Sequence, residues 1–323
     1  MILTIDGGTT NTRLYRLDRG EILSSRKLSL GIRDALDPAG KAEYCRAVSA
    51  AIADLAAEQA EAPEAVVCSG MIGSENGLHA CPHIAAPVSF DELAKAMVPV
   101  SLPEIAPYPF LFVPGVKTFS AVPGTAADIP EDRLAEMDIM RGEETELAGI
   151  SAKCGIRGEY TFLLPGSHMK TIRLDRDGRI AAFHTSLTGE LLNAAAQHTI
   201  LKASVGRAYP KTADPVQLRR GYAFAREYGI SRALFKVRIL DISVGGMTED
   251  GLFSFLLGIL LYDDVSRLIR DGRPVTVGGS DPFRGALGLL LTDGGVQADA
   301  VPQEIADCAS AYGAWELRTR CTR

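Results

Sequence analysis

The sequence predicts an α/β fold built from two related domains, and three observations predict it. The same run of strands and glycine turns opens each half of the chain. Each run then gives way to helical patterning, and strands alternating with helices are the mark of α/β architecture. With 46% hydrophobic and 23% charged residues over 323 positions, there is apolar material for two cores. The expected domains are residues 1–150 and 151–323.

In residues 2–30 an apolar strand from Ile2 meets the turn Asp6-Gly7-Gly8-Thr9-Thr10. A second strand Arg13–Asp18, a turn at Arg19-Gly20 and a third strand from Glu21 follow. Residues 159–184 repeat this plan as strand Tyr160–Leu164, turn Pro165-Gly166-Ser167-His168, strand Lys170–Asp175, turn Arg176-Asp177-Gly178 and strand Arg179–Phe183. Even the residues recur, Arg16-Leu17-Asp18-Arg19-Gly20-Glu21-Ile22 standing beside Arg173-Leu174-Asp175-Arg176-Asp177-Gly178-Arg179-Ile180. An offset of nearly half the chain means a duplicated domain rather than a solenoid.

Helical spacing covers Ala39–Gln59 after the first unit and Thr188–Val205 after the second. Helices at Pro215–Tyr228 and Leu252–Ile269, a strand Val275–Val277 and a helix after Pro282 complete the pattern. Residues 295–323 read as a short strand, a helix from Gln303 and a basic tail with Cys321, packing back on the first domain. Residues 82–124 hold eight of the 17 prolines, at 82, 87, 99, 103, 107, 109, 114 and 123, so no long helix fits there. That stretch reads as an irregular wall or cap in the first domain, with a short helix near Asp91–Val98.

Composition excludes several classes. Lys plus Arg total 34 against 40 Asp plus Glu, a net charge of −6 with no basic block, which argues against nucleic acid and anionic membrane surfaces. The longest largely apolar run, Leu252 to Tyr262, is too short to span a bilayer. Met1 to Asp6 read straight into a strand, with no basic signal region ahead of it. Six scattered cysteines without a C-x-x-C imply reduced thiols and a cytoplasmic home. A Walker loop, a Rossmann fingerprint and a serine-hydrolase elbow are all missing from the sequence.

Several short strings could carry chemistry. In Asp6-Gly7-Gly8-Thr9-Thr10-Asn11 the backbone N–H groups and hydroxyls suit phosphate oxygens, and Asp6 could hold hydrated Mg2+; an ordinary β-turn is the plain alternative. Pro165-Gly166-Ser167-His168-Met169-Lys170 occupies the equivalent turn, so the two turns would clamp a polyphosphate across a cleft. Lys170 would add a point charge, and His168 either contacts a ligand or completes the turn. Gly278-Gly279-Ser280 follows a strand and suits a base or ribose, or simply turns the strand into a helix.

Asp138 to Thr145 leads into a helix expected at Glu146–Ile150. The carboxylates there either complement the helix dipole or supply a base that orients an attacking hydroxyl. Ser69-Gly70-Met71-Ile72-Gly73-Ser74 follows a buried strand where α/β folds line a ligand crevice. His79, Cys81 and His83 lack a fourth ligand at metal spacing and read as a plain loop. Thr188 is a helix cap or a substrate contact.

Together these pieces resemble the actin, hexokinase and Hsp70 ATPase superfamily, two ribonuclease H-like domains with a cleft between them. Within it, Ile5 to Arg13, Ser69 to Ser74, Met140 to Thr145, Leu164 to Lys170 and Thr188-Gly189-Glu190-Leu191 resemble the 2-dehydro-3-deoxygalactonokinases. The resemblance covers residues 2–200 well and the remainder loosely, through Gly278-Gly279. It implies a sugar-acid kinase that uses ATP and Mg2+ to phosphorylate 2-dehydro-3-deoxy-D-galactonate on its 6-hydroxyl, in galactonate catabolism.

By position, Gly8, Thr9, Thr10 and Asn11 with Gly166, Ser167, His168 and Lys170 would hold phosphates, Asp6 the Mg2+, and Gly278, Gly279 and Ser280 the adenosine. Glu143 is the implied base, with Glu144 and Asp138 in reserve. Arg13, Arg141 and Lys117, in that order, are candidates for the acid's carboxylate. Met71, Ile72, Ser74 and Thr188 would line the sugar acid. The chain departs from the family pattern at Leu78 and His79, where aromatics are usual, and at Ser167 and Met169. A superfamily hydrolase and a non-enzymatic actin-like ATPase are the rival readings. Expected partners are ATP and a small sugar acid, with no nucleic acid and no membrane, and a homodimer is left open.

Overall fold

The computed structural model describes residues 1–58, 61–120, 124–206 and 208–321. Gln59, the expected last residue of the first helix, and Pro123 lie outside the described residues. Contacts divide the chain into two compact units. The first comprises Met1–Glu159, Leu174–Phe183 and the chain from Cys308 onward; the second comprises Tyr160–Arg173 and His184–Asp307.

The first unit opens with β1 (Ile2–Gly7), β2 (Thr12–Asp18) and β3 (Glu21–Leu28), as the sequence predicts. The helix α1 (Pro38–Ala57) begins where Asp37 accepts hydrogen bonds from the N–H groups of Ala39 and Gly40, with proline in the first turn. It buries Tyr44, Val48, Ala51, Ile52 and Leu55, spaced three and four apart, against the sheet. After β4 (Val66–Gly70) come β5 (Ile84–Ala85), α2 (Phe90–Lys95), β6 (Val98–Ser101), β7 (Pro109–Phe112), β8 (Val116–Lys117), α3 (Glu131–Glu136), β9 (Ile139–Met140) and α4 (Glu143–Cys154).

The six-stranded sheet runs β3-β2-β1-β4-β7-β6, with β1 antiparallel to β2 and parallel to β4. The proline-rich stretch is therefore not an irregular wall, because it supplies β6 and β7 to this sheet. Pro99 sits on the edge strand and Pro109 is the first residue of its strand, positions where the missing N–H costs no ladder bond. The short helix there ends at Lys95 rather than Val98. A small sheet, β5-β8-β9, completes the unit.

The second unit's sheet uses β10 (Tyr160–Leu164), β11 (Met169–Leu174) and β12 (Ile180–Ser186). Then follow α5 (Thr188–His198), α6 (Lys202–Val205), α7 (Pro215–Tyr228), α8 (Ile230–Ile239), α9 (Glu249–Leu260), α10 (Tyr262–Asp271), β13 (Val275–Val277), α11 (Phe283–Asp293), β14 (Ala298–Ala300), α12 (Gln303–Ala306) and α13 (Ala309–Cys321). The order β12-β11-β10-β13-β14 matches β3-β2-β1-β4-β7, so the internal echo is realised as two sheets of one topology. This is an α/β arrangement, each unit built on a mixed sheet with helices.

Two expected helices are each broken. Thr199 separates α5 from α6 because its hydroxyl donates to Ala195 O at 2.6 Å and accepts from Leu201 N–H at 3.1 Å. The apolar run around Leu252 divides at Leu261 into α9, buried along nearly its whole length, and α10. The helix α8 was not expected at all. No helix among the described residues is long and apolar enough to cross a membrane.

The tip of the β11–β12 hairpin joins the first unit because Val88 and Ile180 exchange backbone hydrogen bonds of 3.0 and 2.8 Å. The C-terminal α13 packs along α4. Glycines make that approach possible: a Cβ on Gly149 would meet Gly313 N at 2.7 Å, and one on Gly313 would meet Gly149 N at 3.0 Å.

Candidate active site

In the first unit the register of β1 and β2 sets Asp6 opposite Arg13. The Asp6 carboxylate accepts from Ser310 Oγ at 3.2 Å and lies 3.8 Å from Arg13 Nη1. Burial pushes this carboxyl up from its ordinary value, while Arg13 and the Ser310 hydroxyl draw it back down. The Arg13 side chain is half exposed.

The turn after Asp6 is pinned from behind. Gly8 N–H donates to Asn11 O at 2.9 Å, and Ile32 and Arg33 N–H donate to Gly8 O and Thr9 O at 3.1 and 3.0 Å. The N–H groups of Thr9 and Thr10 carry no hydrogen bond among the described residues, which leaves them available to an anion.

Beyond β4, Met71–Gly73 forms one tight helical turn. Ile72 is fully buried and presses on Gly7, so its side chain joins the core. The Ser74 hydroxyl donates to Met71 O at 2.7 Å and closes the turn, while Met71 is half-buried.

The helix α4 starts at Glu143, three residues earlier than expected, and this places the acidic pair in its first turn. Glu143 Oε2 accepts from Arg141 N–H at 3.1 Å. Glu144 is fully buried and accepts from Gly142 N–H at 2.9 and 2.8 Å and from the Thr145 hydroxyl at 3.2 Å. Burial and the Glu143 charge push Glu144 up to about 7. Its carboxyl is thus committed to capping the helix.

Glu146, which the sequence reading did not single out, lies one turn beyond Glu143 on the same face of the helix. Burial, then Glu143 and Asp6, push it up to about 8, with Arg13 opposing. Glu146 therefore feels Glu143, Asp6 and Arg13, and Asp6 feels Arg13. The spacing of Glu143 and Glu146 was the available signal. Asp138 sits apart, on the edge of the small sheet, where its N–H donates to Thr118 Oγ1 at 2.7 Å.

Arg141 follows β9 at the end of the small sheet from which β5 and β8 begin, since β9 runs antiparallel to β8. Its Nη2 donates to Cys81 O at 2.5 Å and lies 3.3 Å from His83 Nδ1. The buried Nη1 has no hydrogen-bond partner among the described residues. His83 is pushed down to about 4 by burial, Arg141 and Lys117, and so stays neutral beside the guanidinium. Lys117 Nζ lies 5.4 Å from the centre of the Phe119 ring.

In the second unit, the N–H groups of Gly166, Ser167 and His168 likewise carry no hydrogen bond among the described residues. Ser167 O accepts from Glu190 N–H at 3.0 Å, and His168 Nε2 is 3.2 Å from Glu190 Oε1. Lys170 is 4% exposed and donates to Thr185 Oγ1 at 2.5 Å. Thr188, 6% exposed, gives its hydroxyl to Asp264 at 2.6 Å. Gly278 N–H donates to Leu163 O at 2.9 Å, and a Cβ on Gly279 would meet Pro165 Cγ at 2.6 Å, so the loop with Ser280 lies against the Pro165–His168 turn.

In the first unit the Thr9 and Thr10 N–H groups and Asp6, with 24% of its side chain exposed, fit a phosphate and its metal. In the second unit, taken by itself, the Gly166–His168 N–H groups, without a partner among the described residues, fit phosphate oxygens.

A family model described as 2-keto-3-deoxy-galactonokinase matches residues 6–317. A relative from Rhizobium meliloti (strain 1021), named as a probable 2-dehydro-3-deoxygalactonokinase, is 31% identical over 249 residues, covering 76% of this chain and 73% of its own. A crystal structure from Sinorhizobium meliloti, named for the same activity, superposes with a TM-score of 0.76 at 24% identity, over 98% of this chain and 95% of that one. The chain belongs to the 2-keto-3-deoxy-galactonokinase family and is a sugar kinase.

Proposed function

We propose that the kinase transfers the γ-phosphoryl group of ATP to the 6-hydroxyl of 2-dehydro-3-deoxy-D-galactonate, with Mg2+ at Asp6, in cytoplasmic galactonate catabolism. Family membership supports the reaction class. The observation that carries the mechanism lies in the first unit, where Asp6 stands opposite Arg13 at the end of β1 and Glu143 opens α4.

Glu143 orients the acceptor hydroxyl and takes its proton, because Glu144 is spent on the helix start and Asp138 lies at the sheet edge. N–H groups of Thr9, Thr10, Gly166, Ser167 and His168 take phosphate oxygens. The Gly278–Ser280 loop lies against adenosine. Bound Mg2+ supplies charge neutralisation for the phosphates, and Asp6 is the carboxylate that holds it.

For the acid's carboxylate, the expected order Arg13, Arg141, Lys117 is revised in this reading. Arg13 faces Asp6, whereas Arg141 has an unpartnered Nη1 and a neutral histidine at its side. Arg141 therefore leads, with Lys117 behind it.

The test is ADP release with ATP and Mg2+ across a panel of aldonic and 2-keto-3-deoxy acids. Release only with 2-dehydro-3-deoxygalactonate is expected. Release with a different acid replaces the substrate, and equal release without any acid makes water the acceptor and the protein a hydrolase.

A further inference from the structure

The side chain of Asp264, in the first turn of α10, reaches away from its own helix. Its Oδ2 accepts from Ser186 Oγ at 2.9 Å and from Thr188 Oγ1 at 2.6 Å, and the two hydroxyls lie 2.9 Å from each other. Ser186 ends β12 and Thr188 opens α5, so the carboxylate is spent on the junction between them. Burial pushes the Asp264 carboxyl up, while the two hydroxyls draw it down.

That junction carries the second glycine turn. A Cβ on Gly189 would meet Ser167 Cα at 2.9 Å, so the start of α5 lies directly on the turn. Glu190 N–H donates to Ser167 O at 3.0 Å, its carboxylate meets His168, and Thr185 accepts from Lys170. Residues 185–190 thus hold the length of the turn, and Asp264 fixes them at both ends of the connection. Thr188, read from the sequence as a cap or a substrate contact, has its hydroxyl turned to Asp264 instead.

We infer that Asp264 is a positioning residue for nucleotide phosphate: through Ser186 and Thr188 it holds the Gly166–His168 turn in the shape that presents its N–H groups to phosphate oxygens. The inference rests on the reading of that turn as a phosphate site. A carboxylate accepting two hydroxyls gives stronger bonds than a neutral acceptor, and their loss releases the segment rather than unfolding the sheet.

The experiment compares Asp264→Ala, Asp264→Asn and Thr188→Val with wild type, measuring dissociation constants for ATP and for adenosine alongside thermal melting. In Asp264→Ala, ATP affinity falls about tenfold while adenosine affinity is unchanged. Asp264→Asn keeps an acceptor oxygen and restores most of the loss, and Thr188→Val weakens ATP in the same selective way. Were Asp264→Ala not to fold, the Asn and Val variants carry the same comparison. A folded Asp264→Ala that binds ATP within twofold of wild type overturns the inference, as does an equal loss for ATP and adenosine. Failure of the underlying reading shows differently, as a wild-type protein that binds ATP no better than adenosine.

Discussion

Asp6 and Arg13 face each other across the β1–β2 ladder, with Nη1 and Oδ2 3.8 Å apart, so the carboxylate expected to hold Mg2+ carries its own counter-charge. Removing a cation beside a metal site strengthens the metal's hold. Arg13→Ala is expected to lower the half-saturating Mg2+ concentration severalfold and to leave the sugar-acid KM within about twofold. A large rise in that KM, with Mg2+ dependence unchanged, would return Arg13 to the carboxylate role.

Glu143→Gln keeps the shape of the helix start and removes the proton acceptor. Turnover should fall by about 10²–10⁴ with ATP affinity nearly unchanged, as steady-state rates and nucleotide titration will read. Full activity in this variant would pass the base role to Glu146, Glu144 or Asp138.

Arg141→Met removes the guanidinium but keeps much of its apolar stem. The expected result is a sugar-acid KM raised about tenfold or more, an unchanged ATP KM, and loss of the preference for the free acid over its methyl ester. His83, held near 4, is neutral throughout the assay range, so the acid's KM should show no histidine inflection between about pH 5.5 and 8. Such an inflection, if abolished by His83→Gln, would contradict the neutral assignment.

Glu144 makes stability depend on pH in a defined direction. Between the ordinary 4.5 and its folded value of about 7, the folded protein keeps a proton that the unfolded chain has released. Stability from this group is therefore present at low pH, declines as pH rises through that window, and is fully lost above about 7. Glu144→Gln should flatten the slope, gaining at pH 8 relative to pH 4 by roughly 3 kcal/mol at most, read from denaturant midpoints. Parallel pH profiles for the two proteins would refute it.

The crossing of α4 and α13 has no room for a methyl group at Gly313. Gly313→Ala should cost about 1–3 kcal/mol, whereas Gly288→Ala, where a Cβ meets nothing within 4 Å, should be neutral or stabilising. Equal melting temperatures for the two variants would count against close packing as the reason for the glycine.

Much of this was legible because strand alternation and glycine turns are local signals. The Asp6–Asn11 and Pro165–His168 turns, the duplicated strands and the helix from Pro38 follow from residues within a few positions of one another. What escaped was set by distant partners. Pro99 and Pro109 argue against regular structure until the edge and start of a sheet make them harmless. Glu146 and Asp264 look like ordinary surface acids on amphipathic helices. Only the tertiary fold brings Asp6 to the first, and Ser186 and Thr188 to the second. Ile72 stands in a glycine-rich string that reads as a ligand loop, yet it presses on Gly7 and belongs to the core.

The return of α13 to α4 also sets an order of events during synthesis. When residues 1–159 have left the ribosome, Asp6 still waits for Ser310, and the helix bearing Glu143 still lacks the partner that covers it. The whole second unit must be translated before the first can be completed, so the half of the protein made first is the half finished last.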